Sequence, residues 1–314
     1  MDAGLFAADF SREKLLSGIA AEAAQNVFIG TSSWKYPGWI GMLYDEQRYL
    51  RKKRFSKAAF ERECLQEYAE VFPTVCVDAG FYQYPQERQV ENMVSQVPAT
   101  FRFAFKVTEL LTIKHFTKLP RHAARAGEVN DNFLNAGNFQ RQFLTPLTPF
   151  QDSIGVLIFS FTQFSVRDFR RGREFVQLLD GFLRELPHDW QYAIEIRNKN
   201  FLQEEYFEVL ERHNVAHVFN SWSRMPSVLE QLALKRSHTA DFNVGRFLLK
   251  PGRTYEQAVK NFAPYKKTGE VYADGRNGLS KLIKKSRANS NRKSFIFVNN
   301  RLEGNALQTI LSAL

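Results

Sequence analysis

The stretch IGVLIFSFTQFSVRDFRRGREFVQLLDGFLRELPHDWQYAIEI, residues 154–196, contains a complete strand–helix–strand unit. Its two apolar ends predict strands over residues 154–159 and 192–196. The region between them, residues 168–186, predicts an amphipathic helix with one apolar face, formed by Phe175, Val176, Leu179, Phe182, Leu183 and Leu186. Because a parallel crossover needs a covering helix, the two strands are expected to pair in parallel.

The same alternation extends in both directions along the chain. Further strands are predicted over residues 27–30, 74–77, 101–107, 215–219, 244–249 and 295–298, which gives eight in all. Helical spacing recurs over residues 56–72, capped by Ser56, and over residues 306–314. Eight such units predict an α/β fold, a single TIM-like (β/α)₈ barrel with parallel strands.

The predicted domain organisation is simple. Residues 1–26 form a helical lead-in, residues 27–314 form the barrel domain, and residues 253–292 make a long excursion before the last strand. A doubly wound open sheet is the alternative. The turn Gly30-Thr31-Ser32-Ser33-Trp34 disfavours it, because the turn lacks the glycine spacing of a dinucleotide-binding loop.

Composition narrows the class of protein. The chain has 314 residues, of which 44% are hydrophobic and 24% charged, as in a folded globular protein. It lacks an apolar run of the ~20 residues that cross a bilayer, and Met1-Asp2-Ala3-Gly4 does not resemble a secretory signal. We therefore expect a cytoplasmic protein without membrane contact. Cys64 and Cys76 fall at apolar positions and are expected in the core.

The net charge of +10 favours an anionic partner, which could be nucleic acid, a phosphorylated metabolite or an acidic surface. Basic residues concentrate at 48–57 and 281–293. Residues 286–291 show no apolar periodicity, so 281–293 is predicted to be a mobile surface segment. The sequence does not determine the oligomeric state.

Polar residues follow nearly every predicted strand, at the end where TIM barrels place their chemistry. The candidate ligand-binding residues, in chain order, are Thr31, Ser32, Trp34, Asp78, Tyr82, Lys106, Arg197, Arg246, Lys250, Asn299 and Asn300. Ser160 and Asn220-Ser221-Trp222 also stand at strand ends. Since strand ends meet water in any protein, a structural role is the alternative for each of them.

Two charged residues lie inside apolar strands. Glu195 stands between Ile194 and Ile196, and Arg246 stands between Gly245 and Phe247. Side chains two apart point the same way, so Glu195 and Arg197 share one face of their strand, and the two isoleucines share the other. A buried charge must be paired. We predict that Glu195 contacts Arg246 or Arg197, and that these charges lie in the barrel mouth.

The sequence contains no recognisable motif for a metal site or for a cofactor. The six histidines form no spaced ligand set, and no phosphate loop, nucleophile elbow or Cys–His dyad stands out. We predict neither a metal site nor a cofactor.

The chain resembles the YecE-like family of uncharacterised barrels, the family of domain of unknown function 72. The matching motifs are Ile29-Gly30-Thr31-Ser32-Ser33-Trp34, Tyr36-Pro37-Gly38-Trp39, Phe81-Tyr82, Phe101-Arg102-Phe103 with Lys106, Glu195-Ile196-Arg197, Arg246, and Phe297-Val298-Asn299-Asn300. The resemblance runs from about residue 27 to the end and implies one TIM-like barrel without an established reaction. Compared with the family pattern, Cys76 replaces Glu and Asp78 replaces Asn.

These observations lead to two functional hypotheses. The first is a barrel that binds a polar anionic small molecule carrying phosphate or carboxylate. Glu195 would be its acid or base, Arg197 and Arg246 its anion clamp, and Trp34 with Tyr82 a stacking wall. The alternative is a nucleic-acid-binding or processing protein, since such barrels resemble the endonuclease IV-like group in architecture. A non-catalytic scaffold is a third option, so the sequence leaves open whether the protein is an enzyme.

Overall fold

The computed structural model describes residues 10–314, apart from the side chains of residues 79 and 80. Of the predicted lead-in, residues 1–9 lie outside the described part, and the rest contains helix α1 (Arg12–Ala23). The division into a lead-in and a barrel domain remains a prediction.

Eight parallel strands form a closed barrel, which confirms the predicted fold and excludes the open sheet. The barrel strands are β1 (Val27–Thr31), β4 (Thr74–Val77), β5 (Arg102–Lys106), β6 (Ile154–Ser160), β7 (Tyr192–Glu195), β8 (Ala216–Ser221), β9 (Asn243–Phe247) and β10 (Ser294–Val298). Around the barrel their order is β1-β10-β9-β8-β7-β6-β5-β4, and β4 closes onto β1. A small antiparallel hairpin, β2 (Leu50–Arg51) with β3 (Arg54–Phe55), was not foreseen from the sequence.

Closure of the barrel requires a glycine. A Cβ on Gly30 would lie 2.0 Å from the carbonyl oxygen of Thr74, inside any van der Waals contact. Only glycine therefore lets β1 approach β4 closely enough to pair Thr31 with Val75.

Helices surround the barrel. The remaining ones are α2 (Lys57–Ala69), α3 (Glu87–Val94), α4 (Glu109–Thr112), α5 (Ala136–Asn138), α6 (Gly172–Arg184), α7 (Glu204–Arg212), α8 (Val228–Ala233), α9 (Tyr255–Phe262), α10 (Ala273–Arg287) and α11 (Ala306–Leu311). Short 3₁₀ turns include Pro37–Trp39, Asp78–Phe81 and Lys199–Phe201. In residues 10–314, no helix is both long and apolar enough to cross a membrane.

The helix predicted to start at residue 168 begins later, at Gly172. The Asp168 carboxylate accepts hydrogen bonds from Ser165 N and Oγ (2.8 and 2.7 Å) and contacts His115 Nδ1 at 2.7 Å. These contacts form a turn three residues ahead of the helix. The helix predicted over 56–72 does start where expected, because Ser56 Oγ accepts the Ala59 N–H at 3.2 Å.

The basic segment 281–293 is not one surface loop, so that prediction is wrong for most of its length. Residues up to Arg287 belong to α10, which buries Leu282 and Ile283, and Arg287 pairs with Glu22. The overlooked signal was the helical spacing of Leu279, just before the basic run, with Leu282 and Ile283 inside it. Only 288–293 connects α10 to β10 as an irregular, largely exposed turn.

Two apolar layers divide the strand side chains by parity. One face of each strand points outward into the helix layer, where Ile194 and Ile196 lie. The other face fills the lumen with a cluster comprising Cys76, Ala104, Val156, Ile158, Ala193, Ala216, Ala240, Phe242, Val218, Val244, Phe295 and Phe297, with Phe28 against it. The predicted parity of strand β7 is confirmed. Cys64 and Cys76 are both buried, as expected.

Candidate functional site

A cluster of polar side chains closes the lumen at the carboxyl ends of the strands. Each member continues the parity of a lumen residue two positions earlier: for example, Asp78 follows Cys76, Lys106 follows Ala104, and Arg246 follows Val244. We call these residues the mouth cluster: Asp78, Lys106, Ser160, Glu195, Arg197 and Arg246. It therefore lies where TIM barrels carry their active sites.

Glu195 is the centre of the mouth cluster and has no exposed surface. Its Oε1 accepts hydrogen bonds from Ser160 Oγ (2.8 Å) and from Arg197 Nε and Nη2 (3.3 and 3.2 Å). Its Oε2 accepts one from Arg246 Nη1 at 2.5 Å. Both expected pairings of Glu195 thus form together, and the expectation that both arginines project into the mouth is confirmed.

The charge state of Glu195 follows from these partners. Burial alone would raise the pKa of this carboxyl, but the positive charges of Arg246, Arg197 and Lys106 outweigh burial and lower the pKa to about 2. A carboxylate that is ionised above pH 2 and surrounded by donors is a weak proton acceptor near neutral pH. Its contacts favour holding the two arginines in place over the predicted acid or base role.

Arg246 connects Glu195 to Asp78. Its Nη2 donates to Asp78 Oδ1 at 3.3 Å, and its own side chain is only 2% exposed. Asp78 remains about one-third exposed at the opening. The buried Nε of Arg246 has no hydrogen-bond partner among the described residues. Since buried donors are normally paired, this N–H is available to an acceptor that residues 10–314 do not supply.

Arg197 and Lys106 contact aromatic rings at the mouth. The Arg197 guanidinium lies 3.7 Å from the ring centre of Trp222, and Lys106 Nζ lies 3.5 Å from that of Phe81. Burial lowers the pKa of Lys106 to about 8; nearby Asp78 opposes the shift, and Arg246 and Arg197 strengthen it. Lys106 therefore exchanges its proton close to neutral pH.

Three more buried polar atoms at neighbouring strand ends have no partner in the described residues. They are Ser32 Oγ, just after β1, and Asn299 Nδ2 and Asn300 Nδ2, just after β10. Strands β1 and β10 pair with Thr31 opposite Val298, so Ser32 and Asn299 stand at the same level. Asn299 uses only its Oδ1, which accepts the Arg301 N–H at 2.9 Å. On β8, Asn220 Oδ1 is an unpartnered acceptor.

Several of the sequence-predicted site residues lie outside the mouth cluster. Thr31 points outward, with its Oγ1 2.7 Å from Ser33 O and 2.9 Å from the Tyr68 hydroxyl. Asn300 holds the last loop, because its Oδ1 accepts the Ala306 N–H at 2.7 Å. Lys250, in the loop after β9, forms an ion pair with Glu270 and has no hydrogen bond to the mouth cluster among the described residues.

The two residues proposed as a stacking wall separate in space. Trp34 is buried and lines a cavity of about 510 Å³, between α2 and α3 on the outside of the barrel. Tyr82 follows the 3₁₀ turn after β4 and is 61% exposed. Its ring lies 5.2 Å from the Arg121 guanidinium. The two rings therefore lie in different environments, Trp34 in a cavity and Tyr82 in contact with solvent.

Sequence reasoning did not assign Ser160, Asn220 or Trp222 to the site, although it placed all three at strand ends. Ser160 supports Glu195, and Trp222 covers Arg197. Asn220 donates through Nδ2 to Ile196 O at 3.2 Å and so ties β8 to the end of β7. Ser160 and Asn220 lie two positions after the lumen residues Ile158 and Val218. Strand alternation would therefore have placed both of them at the mouth.

A metal centre is not recognisable in residues 10–314, where no group of three or more His, Cys, Asp and Glu side chains converges. The donors at the mouth are mainly cations, hydroxyls and amides, which suit an anion and not a metal ion.

Comparisons with known proteins agree with this architecture. The model of a family described as "Protein of unknown function DUF72" matches residues 28–313. A crystal structure of a DUF72 family protein from Enterococcus faecalis is 18% identical, with a TM-score of 0.60, covering 91% of this chain and 94% of that one. One from Thermotoga maritima is 19% identical, with a TM-score of 0.59, covering 91% and 96%. At such identities the likeness concerns the fold alone. Among curated proteins, none matches this sequence.

Proposed function

The chain belongs to the DUF72 family of proteins of unknown function, and from this premise we propose that it binds a small anionic molecule in the mouth of its barrel. The ligand carries a phosphate or carboxylate group. The observation that carries the proposal is a surplus of buried donors over acceptors in the mouth. Fold alone gives no such information, because barrels of this type host many unrelated activities.

The surplus is visible in both charge and hydrogen bonding. Three cations, Lys106, Arg197 and Arg246, face two carboxylates, Glu195 and Asp78. The mouth also contains buried donors that lack partners among the described residues. They are the N–H groups of Arg246 Nε and Asn299 Nδ2 and the hydroxyl of Ser32. An anion with several oxygens supplies one negative charge and several acceptors together.

Within this proposal the residues divide into two roles. Glu195 is a positioning residue that orients Arg197 and Arg246 through both of its oxygens. Lys106, Arg197 and Asn299 contact the ligand. If the bound molecule reacts by proton transfer, Lys106 is the proposed proton carrier, because its pKa near 8 leaves both protonation states accessible.

Calorimetric titration with ribose 5-phosphate tests the proposal. Wild-type protein should bind it at neutral pH. Asn299→Asp should weaken binding at least tenfold, because a carboxylate replaces an amide donor of the same shape and repels the phosphate. Lys250→Met is the matched control, since Lys250 pairs with Glu270 and has no ion pair with the mouth cluster among the described residues. Its affinity should equal that of the wild type.

Two results of these titrations would contradict the proposal, one for the ligand class and one for the location of the site. If wild-type protein binds neither ribose 5-phosphate nor citrate, used as a carboxylate probe, the proposed function is wrong. If Asn299→Asp binds ribose 5-phosphate as tightly as wild type while Lys250→Met does not, the site lies on the outer loop and not in the mouth.

Nucleic-acid binding is the alternative, and the basic surface offers it modest support. Many of its cations already have acidic partners: Arg48 contacts Glu67 and Glu70, Arg51 contacts Glu63, and Arg287 contacts Glu22. Such internal pairing leaves fewer charges for a phosphate backbone. Binding of random duplex DNA with a steep salt dependence would favour the alternative over the small-molecule proposal.

A further inference from the structure

Four cations around the barrel opening each lie beside an aromatic ring. In addition to Lys106 with Phe81 (3.5 Å) and Arg197 with Trp222 (3.7 Å), Arg301 lies 4.5 Å from the ring centre of Tyr255, and Arg121 lies 5.2 Å from that of Tyr82. The first two pairs are deep in the mouth. The last two, which we call the rim pairs, lie at its outer edge.

The rim tyrosines expose their rings to an unusual degree. Tyr82 is 61% exposed and Tyr255 is 49% exposed, whereas most aromatic residues of this chain are buried. Tyr82 also packs edge-on against Phe81, at 5.3 Å between ring centres, which fixes it to the element that carries Asp78. A supported but exposed aromatic ring offers a flat surface to a ligand.

The rim pairs flank the same opening from two directions. Tyr82 lies four residues beyond Asp78 on the β4 side. Tyr255 begins α9 after β9, and its partner Arg301 is joined to Asn299 through the Arg301 N–H. Each rim pair is therefore attached to an element that borders the mouth, through the turn that carries Asp78 on one side and through Asn299 on the other.

Resting on the proposed function, we infer that the ligand joins its anionic group to a planar aromatic ring, as a nucleoside monophosphate does. The phosphate occupies the mouth cluster, and the ring lies between Tyr82 and Tyr255. Each tyrosine stacks on the ring with one face, and the guanidinium groups of Arg121 and Arg301 support the tyrosines from behind. Trp34, on the outside of the barrel, takes no part.

Three probes separate the contributions of ring and phosphate: adenosine 5′-monophosphate, ribose 5-phosphate and adenosine. Calorimetric titration should show the monophosphate binding at least about tenfold more tightly than ribose 5-phosphate, because one stacked base contributes about that factor or more. Adenosine should bind more weakly than the monophosphate, because it lacks the group that the mouth cluster holds.

Substitutions at the rim then locate the ring. Tyr82→Leu and Tyr255→Leu should each weaken monophosphate binding about tenfold and leave ribose 5-phosphate unchanged. Tyr82→Phe and Tyr255→Phe retain the ring face and should bind like wild type. Both tyrosines are exposed, so these variants should fold, and their thermal unfolding verifies this.

The results distinguish the two proposals. Equal affinity for the monophosphate and ribose 5-phosphate would overturn the aromatic inference while leaving the anion site in place. Equal loss of both ligands in Tyr82→Leu and Tyr255→Leu would also overturn it. Absence of binding by both phosphates would overturn the aromatic inference, and absence of citrate binding as well would contradict the proposed function itself.

Discussion

Glu195 and Glu303 are two buried carboxylates in very different surroundings. Neither has any exposed surface. Glu303 accepts hydrogen bonds from Tyr272 N (2.6 Å), Arg276 Nε (2.9 Å) and Thr309 Oγ1 (2.8 Å). These contacts join the middle of the long excursion to the loop after β10. Glu195 accepts a similar number of bonds, but its surroundings also contain a third cation and buried donors without partners.

The difference indicates how architecture and function can be told apart here. Around Glu303 one carboxylate faces one arginine, and the remaining donors are a backbone amide and a hydroxyl, so the set is complete within the chain. Around Glu195 the donors exceed the acceptors. A complete set stabilises the fold, whereas an incomplete one leaves donors available, which is why we propose the ligand site at Glu195 and not at Glu303.

Removing the arginine at the mouth should have the largest effect. Arg246→Leu leaves the fully buried Glu195 without its shortest contact and should lower the free energy of unfolding by about 3–5 kcal/mol. Urea denaturation measures the change. The double variant Arg246→Leu with Glu195→Gln should recover part of the loss, because the amide carries no charge that needs Arg246 and its oxygen can still accept from Arg197. A single-variant loss below about 1 kcal/mol would contradict this.

Removing the arginine at Glu303 should have a smaller effect and leave ligand binding intact. Arg276 is 26% exposed, so solvent screens part of its attraction to Glu303. We expect Arg276→Leu to cost about 2 kcal/mol in unfolding experiments, the range for a charged hydrogen bond that is lost. Affinity for ribose 5-phosphate should be unchanged. Weakened binding would mean that Glu303 also supports the ligand site, which would contradict the distinction between Glu303 and Glu195.

The smallest expected effect is a pH dependence specific to the mouth. The pKa of Lys106 is about 8, so the side chain is charged below that pH and loses its charge as the pH rises through it. Between pH 7 and 9.5, affinity for ribose 5-phosphate should fall about tenfold, or about 1.4 kcal/mol.

The groups facing Lys106 do not account for that change. Glu195, with a pKa of about 2, stays ionised over this range, and the arginines stay charged. The second pKa of a phosphate monoester lies near 6, so the ligand does not change charge either. Lys106→Met should bind weakly with no such pH dependence. A wild-type-like pH profile in this variant would assign the titration to another group.

Much of the fold was predictable because its determinants are local. Each barrel strand appears as a short apolar run, and each of the longer helices α2 and α6 as an apolar face at helical spacing. Alternation of the two implies parallel pairing. The errors also have local causes. The carboxylate of Asp168 formed a turn ahead of α6, and basic residues concealed the apolar spacing of α10.

The sequence by itself determined which strand residues share the lumen, because side chains alternate along a strand with a period of two regardless of what surrounds it. It thereby placed Glu195, Arg197 and Arg246 in the mouth. Tertiary structure alone decided the partners. Asp78 meets Arg246 only because the sheet closes on itself, while Trp34 lines a cavity outside the barrel and Lys250 pairs with Glu270. Closure and loop paths depend on contacts between residues far apart in the chain, which a local pattern does not encode.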